Sequence, residues 1–296
     1  MFFSKVVENI KLNDRLFLKP EYLNHEFVSG NKWRKLKYNI EKAKNEGHTT
    51  LLSFGGAYSN HIAALASAGK IYGFKTIGVI RGEELESNYE NNPTIKYAKS
   101  CGMIFKFVSR EAYKMKDALH FINDLRNQFG AFMLIPEGGT NKLAIKGCEE
   151  IFNPTDIMFD YVCCCVGTGG TISGLINSSW SHQKILGFPA LKGALLSKDI
   201  SKFAKRKNWE LIEDYHFGGY AKITEELIHF MNNFKLKYDI QLDPVYTAKM
   251  IFGVNELMNN GYFEKNAKIL LIHSGGLQGI PGMNEKLRKK KLPLIN

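Results

Sequence analysis

Short apolar runs alternate with helical stretches along most of this chain of 296 residues. Runs such as 162–166 and 269–272 are apolar at every position, which is typical of strands buried on both faces of a sheet. After a leading apolar segment at 16–19, the pattern predicts helices near 59–72, 91–101, 112–129 and 140–152, and strands at 50–54, 75–80, 104–108, 132–135, 161–166, 185–187, 211–213 and 268–273. This alternation predicts an α/β fold with parallel sheets covered by helices.

The composition is that of a globular protein. Hydrophobic residues make up 44% of the chain and aromatic residues 12%, and the length favours two domains or one large one. No apolar run approaches the length of a membrane span, and residues 1–5 lack the long apolar stretch of a signal peptide. No membrane partner is therefore expected.

Cysteine usage and charge limit the function classes further. Three of the five cysteines are consecutive, at 163–165, and the chain has no Cys-x-x-Cys pair, so neither a disulfide framework nor structural zinc is expected. This favours a reducing cytoplasm. The net charge of +11 suits an anionic ligand or nucleic acid, but the lysines are scattered. The one dense cluster, Arg288-Lys289-Lys290-Lys291, is interpreted as a solvated tail rather than a nucleic-acid contact.

The segment 29–35, Ser-Gly-Asn-Lys-Trp-Arg-Lys, places Lys32 at the start of a helix. It opens with turn and cap residues, and Trp33, Leu36 and Ile40 follow at helical spacing. Unpaired N–H groups in the first helical turn disfavour a cation, so the neutral, nucleophilic amine of Lys32 is favoured. Such an amine can form a Schiff base with an aldehyde. Taken alone, an ordinary surface lysine is the commoner explanation, because the chain has 40 Lys and Arg residues.

A glycine-rich segment, Gly167-Thr168-Gly169-Gly170-Thr171, follows a buried strand and opens a helix. Glycines let the backbone approach an anion closely, and the helix N-terminus and the threonine hydroxyls supply donors. The segment is not a Walker A loop, and it lacks the dinucleotide fingerprint because Ile172 stands where the last glycine should be. It is interpreted as a phosphate cradle, with a merely tight turn as the alternative.

Other polar loops follow other strands. Gly55-Gly56-Ala57-Tyr58-Ser59-Asn60-His61 brings N–H groups, a hydroxyl, an amide and an imidazole to the carboxyl end of a strand, where open α/β sheets bind ligands. This loop suits a carboxylate or an aromatic hydroxyl, although Ser59-Asn60 could be only a helix cap. Segments 136–141, 243–247 and 273–276 are weaker candidates. In 243–247, Pro244 is expected in the first turn of a helix.

A lysine amine, a phosphate cradle without a nucleotide fingerprint and a loop for a carboxylate are together what pyridoxal phosphate needs when it acts on an amino acid. Zinc hydrolysis is disfavoured because the chain has no His-Glu-x-x-His. A serine hydrolase is disfavoured because the Gly-x-Ser-x-Gly elbow is also missing. We therefore expect pyridoxal 5'-phosphate as the cofactor and no metal.

With these motifs, the chain resembles the 1-aminocyclopropane-1-carboxylate deaminase and D-cysteine desulfhydrase family of pyridoxal-phosphate enzymes, which has the tryptophan-synthase-β-like fold (fold type II). The resemblance implies that Lys32 forms the Schiff base with the cofactor and that Lys35 contacts its phosphate. It also implies that Asn60 holds the ring hydroxyl and that Thr247 faces the pyridine nitrogen. The further phosphate contacts it implies are Gly167, Thr168, Gly169, Gly170 and Thr171.

The resemblance also implies a substrate site. Ser59, Asn60 and His61 would grip the substrate carboxylate together with nearby N–H groups, and Ser274 would line the same site. Two tyrosines match the family's active-site pair. The residues expected to take part in catalysis are Lys32, Ser59, Tyr220 and Tyr246.

Two departures from the family pattern bear on the reaction. In the deaminases a glutamate stands at the position of Thr247 and a leucine at the position of Ser274, and small hydroxyl residues there resemble the desulfhydrases. A glutamate keeps the pyridine protonated and strengthens the electron sink that opening a cyclopropane requires. A threonine permits a neutral ring, which suffices when the leaving group is good. The expected function is a pyridoxal-phosphate lyase, D-cysteine desulfhydrase, giving pyruvate, sulfide and ammonia.

The alternatives are a 1-aminocyclopropane-1-carboxylate deaminase giving 2-oxobutanoate and ammonia, and, more remotely, a non-enzymatic binder of a cofactor or nucleic acid. The expected architecture has two open parallel-sheet α/β domains with the cofactor between them. A small domain, 48–145, is inserted into a large one formed by 1–47 and 146–296. The resemblance implies a homodimer. The expected partner is a small amino-acid substrate, with no nucleic acid and no membrane.

Overall fold

The computed structural model describes residues 6–25, 28–191 and 196–296, which form two sheets and the helices around them. The first five residues, on which the expectation about a signal peptide rests, lie outside the described residues. The strands are β1 (Ile10–Lys11), β2 (Leu16–Lys19), β3 (Thr50–Gly56), β4 (Lys75–Arg81), β5 (Ile104–Val108), β6 (Met133–Ile135), β7 (Tyr161–Val166), β8 (Lys184–Pro189), β9 (Trp209–Leu211) and β10 (Ile269–Ile272).

Helices separate the strands as the alternating pattern predicts. The α-helices are α1 (Asn31–Asn45), α2 (Asn60–Tyr72), α3 (Pro93–Ser100), α4 (Arg110–Lys114), α5 (Leu119–Phe129), α6 (Lys142–Cys148), α7 (Gly170–Ser178), α8 (Leu196–Ser201), α9 (Glu225–Tyr238), α10 (Thr247–Asn259) and α11 (Ile280–Lys289). Short 3-10 helices connect several of them. No helix in the described part of the chain is long and apolar enough to cross a membrane.

Parallel pairing dominates both sheets. The larger sheet has the order β1-β2-β10-β7-β8-β9, and among its described pairs only β1 with β2 is antiparallel. The smaller sheet, β5-β4-β3-β6, is parallel throughout. These sheets confirm the predicted α/β class. The smaller sheet falls within the predicted small domain, whose limits at 48 and 145 stay a prediction.

Helix α1, which carries Lys32, packs against helices of both sheets. It contacts α2 beside the smaller sheet and both α6 and α7 beside the larger one. Its apolar face, Trp33, Leu36 and Ile40, is fully buried, as the helical spacing predicts. The helix therefore holds Lys32 at the junction of the two sheets.

Some elements differ from the sequence prediction. The helix predicted near 112–129 is two helices, α4 and α5, and the helix predicted near 140–152 ends at Cys148 and continues as a 3-10 turn. The strand predicted at 211–213 lies at Trp209–Leu211, and the antiparallel β1 was not predicted. Both strands lie at sheet edges and are only partly buried, so the pattern of apolar residues there is weak.

The basic cluster at 288–291 is solvated, as predicted, but it lies at the end of a helix rather than in a tail. Its first two residues belong to the last turn of α11, and all four basic side chains are exposed. The chain then packs back onto the protein, because the Asn284 side chain exchanges two hydrogen bonds with the backbone of Ile295, at 2.8 and 2.9 Å. Ile295 itself is buried in the core.

Candidate active site

The carboxyl ends of strands from both sheets open onto one cavity of about 670 Å³. Strands β3 and β6 of the smaller sheet and β7 and β10 of the larger sheet lead into its wall. This is where parallel α/β sheets bind ligands. The segments that sequence analysis selected all contribute to the lining: 29–35, 55–61, 136–141, 167–171, 243–247 and 273–276.

Lys32 lies in the first turn of α1 and lines the cavity. Burial and then the positive charge of Lys35 lower the pKa of Lys32 from its usual 10.5 to about 7. The expected direction is therefore right, but burial rather than the helix terminus is the main cause. Helix α1 begins after Gly30, where a Cβ would lie 2.0 Å from the Ser274 carbonyl oxygen, so glycine lets the helix start approach the end of β10.

Lys35 joins two loops into a cradle for an anion. Its Nζ donates to the Gly138 carbonyl oxygen and to Thr140 Oγ1, both at 3.0 Å, and lies 3.4 Å from Thr168 Oγ1. The two threonine hydroxyls are 2.6 Å apart. Helix α7 begins within the segment 167–171, so its unpaired N–H groups face the same space. The cradle thus offers an ammonium, hydroxyls and a helix N-terminus, and the weaker candidate 136–141 is one of its walls.

Ser59 and Asn60 are both helix-cap residues and polar groups of the cavity. Ser59 Oγ accepts from the Ile62 N–H at 3.3 Å, which leaves its own O–H free to donate. Asn60 Oδ1 accepts from Gln278 Nε2 at 2.8 Å, so the Asn60 amide N–H groups are the donors it can offer to a ligand. The cap and the binding site predicted from the sequence are therefore compatible.

The His61 ring lines the cavity, but its contacts do not suit the grip on a carboxylate that the family resemblance implies. Ser53 Oγ donates to the Ile135 carbonyl oxygen at 2.7 Å, so the His61 Nε2 at 2.8 Å must be the donor to Ser53. Burial and the charges of Lys32 and Lys35 hold the pKa of His61 well below its usual range. Its Nδ1, which has no partner among the described residues, is therefore an acceptor.

The segment 243–247 places two predicted site residues. The Asp243 carboxylate accepts from the N–H groups of Val245, Tyr246 and Thr247, at 3.0, 2.9 and 2.7 Å. Because Asp243 caps this turn, α10 begins at Thr247, and the prediction of a first helical turn at Pro244 is wrong. The Thr247 side chain is fully buried, and its hydroxyl has no hydrogen-bond partner in the described part of the chain.

The two predicted tyrosines meet at the cavity. The ring centroids of Tyr220 and Tyr246 are 6.1 Å apart and the planes cross at 69°. Burial raises the pKa of both phenols, so both hydroxyls keep their protons. Tyr246 also packs against Gly167, at the start of the phosphate segment.

Ser274 follows β10 and lines the cavity beside Cys165. Its Oγ lies 3.1 Å from Cys165 Sγ. Burial raises the pKa of Cys165 to about 12, so the thiol stays neutral. The structure thus places every residue predicted for the site except Thr247 in the lining of this cavity, although their roles stay predictions. Thr247 is fully buried next to Tyr246.

Arg81 and Lys249 lie at or next to the site and were not predicted from the sequence. Arg81 ends β4, opposite Gly56 in the sheet register, and lines the cavity. A charged residue at the carboxyl end of a predicted strand was the signal that could have identified it. Lys249 lies in α10, and its amine contacts the turn that carries Tyr220. No local pattern distinguishes it from the other lysines.

Comparisons with known proteins agree with this geometry. A profile of the family described as "pyridoxal-phosphate dependent enzyme" matches residues 6–275. A Thermotoga maritima protein named as a candidate 1-aminocyclopropane-1-carboxylate deaminase is 30% identical, over 97% of this chain and 96% of that protein. The Arabidopsis thaliana mitochondrial bifunctional D-cysteine desulfhydrase/1-aminocyclopropane-1-carboxylate deaminase is 26% identical, over 90% of this chain and 73% of that protein.

A crystal structure titled as that of an ACC deaminase homologue is also similar. It superposes with a TM-score of 0.80 at 27% identity, covering 93% of this chain and 88% of that one. The expected fold is thereby confirmed, and so is an enzyme rather than a non-enzymatic binding protein.

The cavity fits pyridoxal phosphate, the confirmed cofactor. The cradle around Lys35 suits the phosphate, and the low pKa of Lys32 suits reaction with the aldehyde. The unpartnered hydroxyl of Thr247 suits a hydrogen bond with the ring nitrogen, and the Asn60 amide suits the ring oxygen. The chemistry of this donor set therefore matches each polar group of the cofactor.

Proposed function

Because this chain belongs to the family of pyridoxal-phosphate-dependent enzymes, we propose that it is a lyase that acts on D-cysteine and releases sulfide, with pyruvate and ammonia as the other products. One observation carries the proposal. The Lys32 amine, whose pKa is lowered to about 7, shares a cavity with the phosphate cradle and with the polar loop 55–61. A neutral amine at this place can act as a base on an amino acid held beside it.

When bound, pyridoxal phosphate supplies an electron sink for the electron pair left when the substrate's α-proton departs. Lys32 takes this proton, since its amine is largely neutral near pH 7. The Ser59 hydroxyl and the N–H groups at the start of α2 bind the substrate carboxylate. Their direction fixes which face of the α-carbon is presented to Lys32.

Tyr246 and Tyr220 assist the departure of the thiol. Burial raises the pKa of both phenols, so each keeps a proton that it can donate to the leaving sulfur. A buried, neutral Thr247 near the ring nitrogen favours an unprotonated ring, which is sufficient when the leaving group is sulfide. This residue supports D-cysteine as the substrate.

The second candidate is 1-aminocyclopropane-1-carboxylate, with 2-oxobutanoate and ammonia as products. The name of the Thermotoga maritima relative, 30% identical over most of both chains, supports it. Opening the cyclopropane makes a stronger demand on the electron sink, and Thr247 supplies no carboxylate to keep the ring protonated. D-cysteine therefore stays the first choice.

A substrate panel tests the proposal. Pyruvate and sulfide are measured with D-cysteine, L-cysteine, D-serine and β-chloro-D-alanine, and 2-oxobutanoate with the cyclopropane amino acid. We expect the highest kcat/KM with D-cysteine. Lys32→Ala should abolish turnover, and borohydride reduction should place the cofactor's mass on the Lys32 peptide. A fully active Lys32→Ala variant would contradict the proposal.

Thr247→Glu separates the two candidates. A glutamate near the ring nitrogen should protonate it and raise the ratio of kcat/KM for the cyclopropane to that for D-cysteine about tenfold, or 1.4 kcal/mol. Thr247→Gln is the matched control, because glutamine has the shape of glutamate without its charge, and it should leave the ratio near that of the wild type. Equal ratios for the two variants would remove the electron-sink argument.

We also propose an oligomeric state and a cellular compartment. The family resemblance supports a homodimer, and the free, mostly buried cysteines support a reducing compartment such as the cytoplasm. Light scattering of the purified protein measures the first, and fractionation of the source cells measures the second.

A further inference from the structure

The turn that carries Tyr220, residues 216–221, has an unusual backbone. Phe217 and Ala221 have φ values of +53° and +54°, a region that side chains with a Cβ rarely occupy. Tyr220 projects from this turn to the cavity, and its ring is 42% exposed. A turn with strained residues and an exposed ring needs contacts from elsewhere to hold one conformation.

Lys249 of α10 supplies these contacts. Its Nζ donates to the carbonyl oxygens of His216 and Gly219, at 2.9 and 2.8 Å, and so spans the turn. The Lys249 side chain is only 2% exposed. The two acceptors are the residue that opens the turn and the residue just before Tyr220, so the bonds fix the backbone on which the tyrosine stands.

Lys249 also shares a rigid segment with the second tyrosine. Tyr246 caps α10 at its start, Lys249 lies in the first turn of that helix, and the Asp243 carboxylate fixes the same segment through three N–H groups. A shift of Lys249 relative to Tyr246 would require the helix to deform. Helix α10 joins Tyr246 to Lys249, and Lys249 holds the turn that carries Tyr220. These two connections therefore set the distance between the two phenols.

Stability alone does not favour a lysine at this place. Burying an amine costs free energy even when it is hydrogen-bonded, and a methionine of similar length would fill the space with less desolvation. The lowered pKa of Lys249, about 8, reflects this burial cost, with the Asp243 charge acting in the opposite direction. The two carbonyl contacts are what the amine adds over an apolar side chain.

We propose that Lys249 is a positioning residue, which fixes the turn at 216–221 and thereby places the Tyr220 hydroxyl beside Tyr246 for proton donation. The inference rests on the proposed function for the role of the two phenols. Lys249 is not itself among the residues that line the cavity, and its two amine hydrogen bonds described above both go to this turn.

A double-mutant cycle with Tyr220 tests the proposal on the holoenzyme. Misplacing a catalytic group by about 1 Å can cost about 100-fold, so Lys249→Met should lower kcat 10- to 100-fold and change KM less than about threefold. Because Lys249 acts through Tyr220, the double variant Lys249→Met/Tyr220→Phe should be no slower than the slower single variant. Losses that multiply in the double variant would overturn the proposal.

Hydrogen–deuterium exchange gives a second readout that needs no substrate. Peptides covering 216–221 should exchange faster in Lys249→Met, while peptides elsewhere exchange as in the wild type. Lys249→Arg, which keeps the donors, should restore slow exchange and most of kcat. Lys222→Met, in the exposed region just after the turn, is the matched control and should keep kcat within twofold. Unchanged exchange in the turn, or faster exchange throughout the chain, would overturn the positioning role.

If Lys249→Met does not fold, Lys249→Gln takes its place in the cycle, and a Gln variant with wild-type kcat and exchange overturns the proposal. If the wild type turns over neither D-cysteine nor the cyclopropane, the proposed function fails, and exchange of the turn alone then supports or overturns the role of Lys249.

Discussion

The surroundings of Lys32 lower the pKa of its amine and so favour the neutral form. Sequence reasoning attributed its neutral form to the helix N-terminus, whereas burial contributes most to the lower pKa and the charge of Lys35 contributes next. The position in the helix could be inferred from local spacing. The burial could not, because it depends on the loops 167–171 and 136–141, which are distant in the sequence.

The lowered pKa of Lys32 predicts a cost in stability. Between pH 7 and 10.5 the unfolded chain binds a proton at this amine that the folded chain lacks, so stability of the protein without cofactor should rise with pH through that window. Below pH 7 the full cost is present. Lys32→Met should therefore stabilise the cofactor-free protein at pH 6 by at most about 5 kcal/mol, from 1.4 kcal/mol per pKa unit, and by less at pH 9.

Urea denaturation of the cofactor-free protein at the two pH values measures this difference. Lys42→Met, a substitution at an exposed lysine of the same helix, is the control and should change stability little at either pH. If Lys32→Met raised the free energy of unfolding by the same amount at pH 6 and pH 9, the charge of Lys32 would not be what destabilises the folded protein.

At the scale of elements, the site is built from helix starts. Helices α1, α2, α7 and α10 all begin at the cavity, and the first three direct their N-terminal N–H groups toward it. Three of these starts could be predicted because glycine or a cap residue follows an apolar strand or turn. The fourth was placed too early, because the Asp243 carboxylate occupies the N–H groups that a helix beginning at Pro244 would leave open.

The start of α7 allows a prediction about the phosphate cradle. A Cβ on Gly170 would lie 2.8 Å from Thr140 Oγ1 and 3.1 Å from Lys35 Nζ. Gly170→Ala should therefore push both groups out of place and weaken pyridoxal-phosphate binding about 10- to 100-fold, with little loss of fold. Fluorescence titration of the cofactor-free protein measures the Kd. Ser178→Ala, at the far end of the same helix, is the control, and an unchanged Kd for Gly170→Ala would contradict the assignment of the cradle.

Across the whole molecule, the apolar pattern predicted most of the fold because the central strands of both sheets pair in parallel and are buried. Strand β7 was predicted at its observed bounds, and β9 was displaced by two residues because an edge strand carries a weaker signal. The site could be predicted where a motif is local, as in 55–61 and 167–171. Arg81 could have been identified from its place at the end of a predicted strand, whereas Lys249 could not, because its role depends on the turn that the fold brings beside it.

The same arrangement predicts that the cofactor stabilises the whole molecule, because it would contact both sheets at once. Its phosphate would lie between loops from the smaller and the larger sheet, and its ring beside Asn60. A ligand present at 100 to 1,000 times its Kd stabilises the folded state by about 2.7 to 4.1 kcal/mol. At about 2 °C per kcal/mol for a chain of this size, removal of pyridoxal phosphate should lower the Tm by about 5 to 8 °C. Scanning calorimetry with and without cofactor measures the shift.

Lys32→Ala keeps the phosphate cradle, so free cofactor should still raise its Tm, by less than in the wild type. Hydrogen exchange should slow in both 55–61 and 167–171 on binding, and slowing in only one of these loops would show that the cofactor does not join the two sheets.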